Sequence, residues 1–194
     1  SAEHNQGLSD LLDALYPFLG PQSEIKEKPI PKMVVMGRPN VGKSTLINTL
    51  LHEDRLVTSN IPGTTRYAID THVTYEGKTY LFIDTAGIRK RGKVVHGVEQ
   101  YSVGRAKEAL ERADIALLLL DGIDGITEQD TKLAGSIIDA HRGMIPLINK
   151  SDAMDLEQKA KLQDQMSRRF PFLKGLEMAF ISGKTGEGLD SIFK

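Results

Sequence analysis

The chain contains no cysteine. Without thiols it can have no disulfide framework, no thiolate metal site and no cysteine nucleophile, a composition that suits a reducing cytoplasm. It has almost no net charge either: 25 Lys and Arg against 26 Asp and Glu leave a formal value of −1. No global field therefore draws it to nucleic acid or to a membrane, and any such attraction must be local. No apolar run approaches the roughly 20 residues that span a bilayer, and the first residues are polar and acidic, unlike a signal peptide. What remains is ordinary for a globular chain of 194 residues: 40% hydrophobic and 26% charged. That length suits one domain, with a fragment to spare, and a substantial core.

Apolar runs alternate with helical patterns, which predicts an α/β fold, a mainly parallel sheet covered by helices on both faces. Met33–Met36 reads as a first buried strand, followed by a Gly-rich loop and a helix from about Lys43 to Leu51. Ile69–Tyr75 and Thr79–Ile83 flank Glu76-Gly77-Lys78, a hairpin signal. Ile115–Leu120 is a continuous apolar run, expected of a central strand buried on both faces. Ile145–Ile148 and Met178–Ile181 repeat that role. Helical patterns lie between them at about Glu99–Arg112, Gln129–Ala140 and Glu157–Arg169.

Gly37-Arg38-Pro39-Asn40-Val41-Gly42-Lys43-Ser44 fits the phosphate-loop pattern G-x-x-x-x-G-K-[ST] without a mismatch, with Thr45 following in the helix. Gly37 and Gly42 let the backbone curl and present N–H groups to a β-phosphate at the positive end of the helix. Lys43 can reach β- and γ-phosphate oxygens, and the Ser44 hydroxyl suits Mg²⁺. Asp84-Thr85-Ala86-Gly87 follows the strand ending at Ile83. Asp84 can hold Mg²⁺ through a water, and the Gly87 N–H can bond a γ-phosphate and lose that bond on hydrolysis. In Gly63-Thr64-Thr65-Arg66, Thr65, with Thr64 as the second choice, can complete the Mg²⁺ shell and aim its carbonyl at the attacking water. Of the histidines, only His96 lies in the presumed switch; phosphoryl transfer needs charge stabilisation more than a base.

Asn149-Lys150-Ser151-Asp152 selects the base. The Asp152 carboxylate can accept two hydrogen bonds from the N1 and N2 edge of guanine, whereas adenine has no N1 proton to offer. Asn149 braces the pocket by hydrogen bonds and Lys150 lays its stem along the base. Ser182-Gly183-Lys184 supplies a backbone N–H toward guanine O6 and a second aliphatic stem.

The two ends of the chain repeat each other, Ser1–Leu12 aligning without gaps on Ser182–Phe193 through a serine, a short polar loop, Gly-Leu and the start of an amphipathic helix. Chance similarity of two loop–helix junctions is the competing reading. The offset predicts a tandem protein: residues 1–19 are the terminal loop and helix of a preceding domain, 20–31 a linker, and 32–194 a second domain with its last helix truncated.

These motifs resemble the EngA (Der) family of bacterial ribosome-assembly GTPases. The resemblance rests on Gly37–Leu46, Pro62-Gly63-Thr64-Thr65-Arg66, Asp84-Thr85-Ala86-Gly87-Ile88, Val98-Glu99-Gln100-Tyr101-Ser102 with Arg105-Ala106, and Ile126-Thr127-Glu128-Gln129-Asp130. It implies a P-loop NTPase fold, a three-layer αβα sandwich whose mostly parallel six-stranded sheet has one antiparallel strand. It also implies a Mg²⁺-dependent, cytoplasmic enzyme that binds GTP and GDP and docks on the large ribosomal subunit and its RNA. Such proteins carry two GTPase domains and a KH-like domain, so this chain would be the second, without its partners. Tyr67, Ser151 and Gly183 stand where the family usually has Asp, Trp and Ala.

Ile88 occupies the place where many GTPases have a water-orienting glutamine. Arg66 and Arg89 are candidate internal arginine fingers. The resemblance implies another answer, a K⁺ ion ligated by Asn40 and stimulating hydrolysis; the competing reading is that Asn40 only braces its loop. The basic run Arg89-Lys90-Arg91-Gly92-Lys93 is either a solvated loop or a nucleotide-gated contact with ribosomal RNA phosphates or with the absent domain. Leu8, Leu11, Leu12 and Leu15 form an apolar stripe that could dock where the last helix is incomplete. Against the enzyme stand a binding module that hydrolyses GTP negligibly, favoured by Ile88, and an ATP-dependent enzyme, disfavoured by Asp152.

Overall fold

The structure, a computed structural model, describes residues 29–52, 57–59, 70–85, 103–171 and 178–193. The expectations for helix 7–16, for most of the linker, and for Thr64, Thr65, Arg66, Gly87, Ile88, residues 89–93 and His96 lie outside the described residues.

Lys32–Met36 forms β1, and the loop after it opens helix α1 at Lys43–His52. Val57–Ser59 is β2, Thr71–Tyr75 β3 and Lys78–Phe82 β4; helix α2 covers Val103–Arg112. Then come β5 (Ile115–Asp121), α3 (Glu128–Asp139), β6 (Gly143–Asn149), α4 (Leu156–Arg169) and β7 (Ala179–Phe180). Single 3₁₀ turns occupy Ser151–Ala153 and Leu189–Ile192.

Among the described residues the strands form one sheet in the order β2-β3-β4-β1-β5-β6-β7. Strand β1 runs parallel to β4 and β5, and β6 continues the parallel run to β7. Only β3 is reversed, antiparallel to both β2 and β4. The six expected strands are all present with one antiparallel member. A seventh, β2, extends the edge; three residues are too few to show any periodicity in sequence. The β3–β4 turn works as the hairpin signal implies: Tyr75 pairs with Lys78, and Glu76 and Gly77 both take positive φ, 47° and 77°. Paired positive φ values give the turn whose twist matches that of the strands.

The continuous apolar run of β5 has a direct explanation. Leu117 and Leu119 are fully buried in a core shared with Leu46, Ile47 and Leu50 of α1. Ala116, Leu118 and Leu120 are equally buried in a second core, against Leu110 of α2, Ile137 of α3 and Leu162 of α4. With helices on both faces, neither side of the strand can be polar. Helices α3 and α4 start sharply because each has a reciprocal capping box, Thr127 with Asp130 and Asp155 with Gln158.

This order places the carboxyl end of β1 between those of β4 and β5. Open α/β sheets bind ligands beyond the carboxyl ends of their strands, where the winding changes direction. Leu119→Ala should lower stability by about 2–5 kcal/mol in chemical denaturation, because it opens a cavity in both the strand and the α1 interface. Leu156→Ala, at a side chain 85% exposed, should change it by less than about 0.5 kcal/mol.

Candidate functional site

Five strand ends, those of β1, β4, β5, β6 and β7, and the start of α1 contribute to that edge. The loop after β1 runs from Gly37 to Ser44 and enters α1 at Lys43. Lys43 is only 6% exposed; its ammonium donates to the carbonyls of Gly37 at 2.8 Å and Arg38 at 2.7 Å. The loop thus wraps its own cation, as a loop must that concentrates positive charge for phosphate oxygens. Two glycines are required sterically. A Cβ on Gly37 would lie 2.6 Å from the Leu119 carbonyl oxygen, and one on Gly42, where φ is +98°, 2.3 Å from Asn149 Nδ2. Asn40 takes φ 64° and is exposed, a left-handed position where asparagine is tolerated better than most residues.

Asn149, at the end of β6 and 3% exposed, joins the two halves of the site. Its Nδ2 donates to the Val41 carbonyl at 2.7 Å, and its Oδ1 accepts from the Gly183 N–H at 2.8 Å. The loop 182–184 is also strapped to α1, where Thr49 Oγ1 donates to the Gly183 carbonyl at 2.5 Å. That approach is close: a Cβ on Gly183 would sit 3.2 Å from the Leu46 backbone. Ser182 is fully buried; its N–H donates to the Glu187 carbonyl at 2.9 Å and its Oγ accepts from the Thr185 N–H at 3.1 Å. The N–H groups of Ser182 and Gly183 are therefore engaged inside the protein. Among the described residues, the Lys184 N–H makes no hydrogen bond within the protein.

Lys150 adopts φ 66°, and its ammonium is 2.5 Å from Asp121 Oδ2, at the end of β5. Its charge is thereby fixed at the protein, and the methylene stem is what it offers outward. Burial raises the Asp121 carboxyl, but the hydrogen bond from Lys150 and the N–H groups of Asp124 and Ile123 outweigh it, leaving the acid below its usual value. Asp152 follows in the 3₁₀ turn with its carboxylate exposed, as a base-reading group must be. Asp84 lies just past β4, which pairs with β1, while Ser44 lies in the first turn of α1, reached from β1 through the phosphate loop.

Pro39, Val41 and Thr45 contribute by position in the loop and first helical turn, and Val41 is fully buried. The loop is anchored from outside by Arg38, whose guanidinium lies 3.2 Å from Asp124 Oδ2 and 3.5 Å from Asp130 Oδ2. Arg38, Thr49 and Asp121 were not singled out by the sequence patterns. Asp121 leaves a trace, an acid closing an apolar run at the end of a central strand. Arg38 leaves none, because the loop pattern treats its position as free.

A family profile describing 50S ribosome-binding GTPases matches residues 32–150. The chain belongs to this family. As a 50S ribosome-binding GTPase domain it is 46% identical over 197 residues to GTPase Der of Geobacillus sp. (strain WCH70), covering 99% of this chain and 45% of that protein. To GTPase Der of Chloroflexus aurantiacus it is 45% identical over 190 residues, covering 96% and 42%. The GTPase domain thus spans less than half the length of these curated relatives. A crystal structure of Era in complex with MgGDPNP and nucleotides of 16S ribosomal RNA aligns with a TM-score of 0.62 at 27% identity, covering 84% of this chain and 54% of that one. The relatives are of the same kind as the resemblance drawn from the motifs.

Asn149→Ala should cost about 1–3 kcal/mol in denaturation, since it strands the buried Val41 carbonyl and Gly183 N–H together. The depressed Asp121 acid carries a pH signature. Unfolded, it binds a proton at a higher pH than folded, so its stabilisation is present above about pH 4 and lost as the pH falls through the depressed value. The stability difference between wild type and Asp121→Asn should therefore shrink on acidification below that range, in denaturation series at several pH values.

Proposed function

We propose that the chain binds GTP and GDP with Mg²⁺ and hydrolyses GTP to GDP and phosphate, and that the bound nucleotide governs docking on the large ribosomal subunit during its assembly. The observation that carries this is the Asn149 bridge, which ties a phosphate loop directly to a base-reading loop, so that one ligand can meet both. Phosphoryl transfer asks little covalent chemistry of a protein; it asks for position and charge. Lys43 and the N–H groups of the loop supply charge to the phosphates, and Asp152 with the Lys184 N–H reads guanine.

The Ser44 hydroxyl, in the first turn of α1, and the Asp84 carboxylate, past the end of β4, are hard oxygen donors, a set that fits Mg²⁺. When bound, that ion neutralises charge on the phosphate oxygens. Thr65, with Thr64 as the alternative, completes the metal shell and positions water, while the Gly87 N–H bonds the γ-phosphate and releases it after hydrolysis. Asn40 is the proposed ligand of a stimulating K⁺. Its exposed side chain makes no hydrogen bond among the described residues, which favours this over bracing of the loop.

In this reading the chain is the second GTPase domain of a longer cytoplasmic protein, preceded by the last helix of the first and followed by a KH-like domain. No helix among the described residues is long and apolar enough to cross a membrane. Contact with ribosomal RNA draws support from the family description and from Era, which was crystallised with 16S RNA. The basic run 89–93 is the proposed contact.

GTP hydrolysis should be faster in KCl than in NaCl at matched ionic strength, and the difference should vanish in Asn40→Ala. Equal, near-zero rates in both salts would instead mark a domain that only binds the nucleotide.

A further inference from the structure

Asp84 stands at a strained point of the backbone. Its φ of 57° lies in the left-handed region, which residues other than glycine seldom occupy. Such a conformation costs free energy and persists only where the surroundings over-determine it. Here they do, through two consecutive residues on the neighbouring strand. The Asp84 N–H donates to Asp70 Oδ1 at 3.1 Å. The next hydroxyl, on buried Thr85, shares a hydrogen bond of 2.7 Å with Thr71 Oγ1. Asp70 and Thr71 enter β3 as Asp84 and Thr85 leave β4, and the antiparallel pairing of Thr71 with Phe82 brings the two pairs together. One carboxylate and one hydroxyl thus grip two successive residues past the end of the next strand.

The grip has a second anchor. The other carboxylate oxygen of Asp70 is paired with the guanidinium of Arg112, the last residue of α2. The Asp70 side chain is 4% exposed. An acid so buried, hydrogen-bonded to the backbone of a second acid, would be costly alone. Arg112 compensates that charge, so Asp70 can hold the backbone without adding net negative charge beside the metal ligand.

We propose that Asp70, held by Arg112, is a positioning residue for Asp84: it fixes the direction in which the metal-binding carboxylate is presented. Both Asp70 carboxylate oxygens are engaged within the protein, and the residue acts through the Asp84 backbone. The proposal rests on the Mg²⁺ reading given above, and deepens it. Groups that orient a metal ligand typically affect metal affinity about 10–100-fold when removed.

The test uses the whole chain and a fluorescent GDP analogue, titrated once in MgCl₂ and once in EDTA. Wild type should bind more tightly with Mg²⁺. Asp70→Ala should lose about 10-fold or more of that Mg²⁺-dependent gain while keeping its affinity in EDTA. Asp70→Asn retains an oxygen for the Asp84 N–H and should keep the larger part of the gain. Arg112→Gln leaves the Asp70 charge uncompensated and should lower it, providing a second reading if Asp70→Ala does not fold. Thr74→Val, which breaks only a β3–β4 hydroxyl pair with Thr79, should leave the gain intact at any melting temperature it produces.

A full Mg²⁺-dependent gain in both Asp70→Ala and Arg112→Gln would overturn the proposal. So would an equal loss with and without Mg²⁺, which marks a merely structural role. A wild-type chain indifferent to Mg²⁺ would remove the metal reading itself, and the positioning role with it.

Discussion

A single buried side-chain amide holds the site together. Asn149 uses its donor on the phosphate loop and its acceptor on the loop after β7, so two segments far apart in sequence are set against each other by one planar group. An amide suits this because it offers a donor and an acceptor at fixed separation. A carboxylate would repel the Val41 carbonyl, and an apolar residue would leave two buried backbone groups unpaired. The same contact leaves no room for a side chain at position 42. The second glycine of the loop therefore answers to its neighbour in the fold as well as to a phosphate.

Around that hinge the charges are arranged by local neutralisation. Lys43 is wrapped by carbonyls, Lys150 is held by Asp121, Arg38 by Asp124 and Asp130, and Arg112 by Asp70. Each cation is fixed by a partner belonging to the protein, and so orients something else: a stem, a loop or a backbone turn. A chain with nearly equal numbers of acids and bases can in this way fix the cations of its site by pairing, without a net field.

Much of this was legible in the sequence. The phosphate loop, the hairpin turn and the doubly buried strand each impose a residue pattern that few other structures share, and all stand where the pattern put them. The guanine-reading segment was legible as chemistry, but its wiring was not. Asn149 was read as a brace of the base pocket, and only the fold reveals that its partners are Val41 and Gly183. Thr49, Arg38 and Asp70 were invisible because each acts across the fold on residues distant in sequence, and no spacing rule links a residue to a partner 134 or 14 positions away. Strand β2 was missed for a simpler reason: its three residues are too few to establish an alternation.

Asp130 has two duties, closing the capping box of α3 and lying against Arg38 of the phosphate loop. Its fully buried carboxylate serves the start of a helix and the outer wall of a ligand site together. Drift at either position is thereby restricted: a replacement at 38 that abandons the guanidinium leaves an acid that the helix still needs, so relief must come from a cation supplied elsewhere. Positions 38 and 130, ninety-two residues apart in sequence, are thus expected to be inherited as a pair, one apparently free letter in a loop motif being tied to the cap of a distant helix.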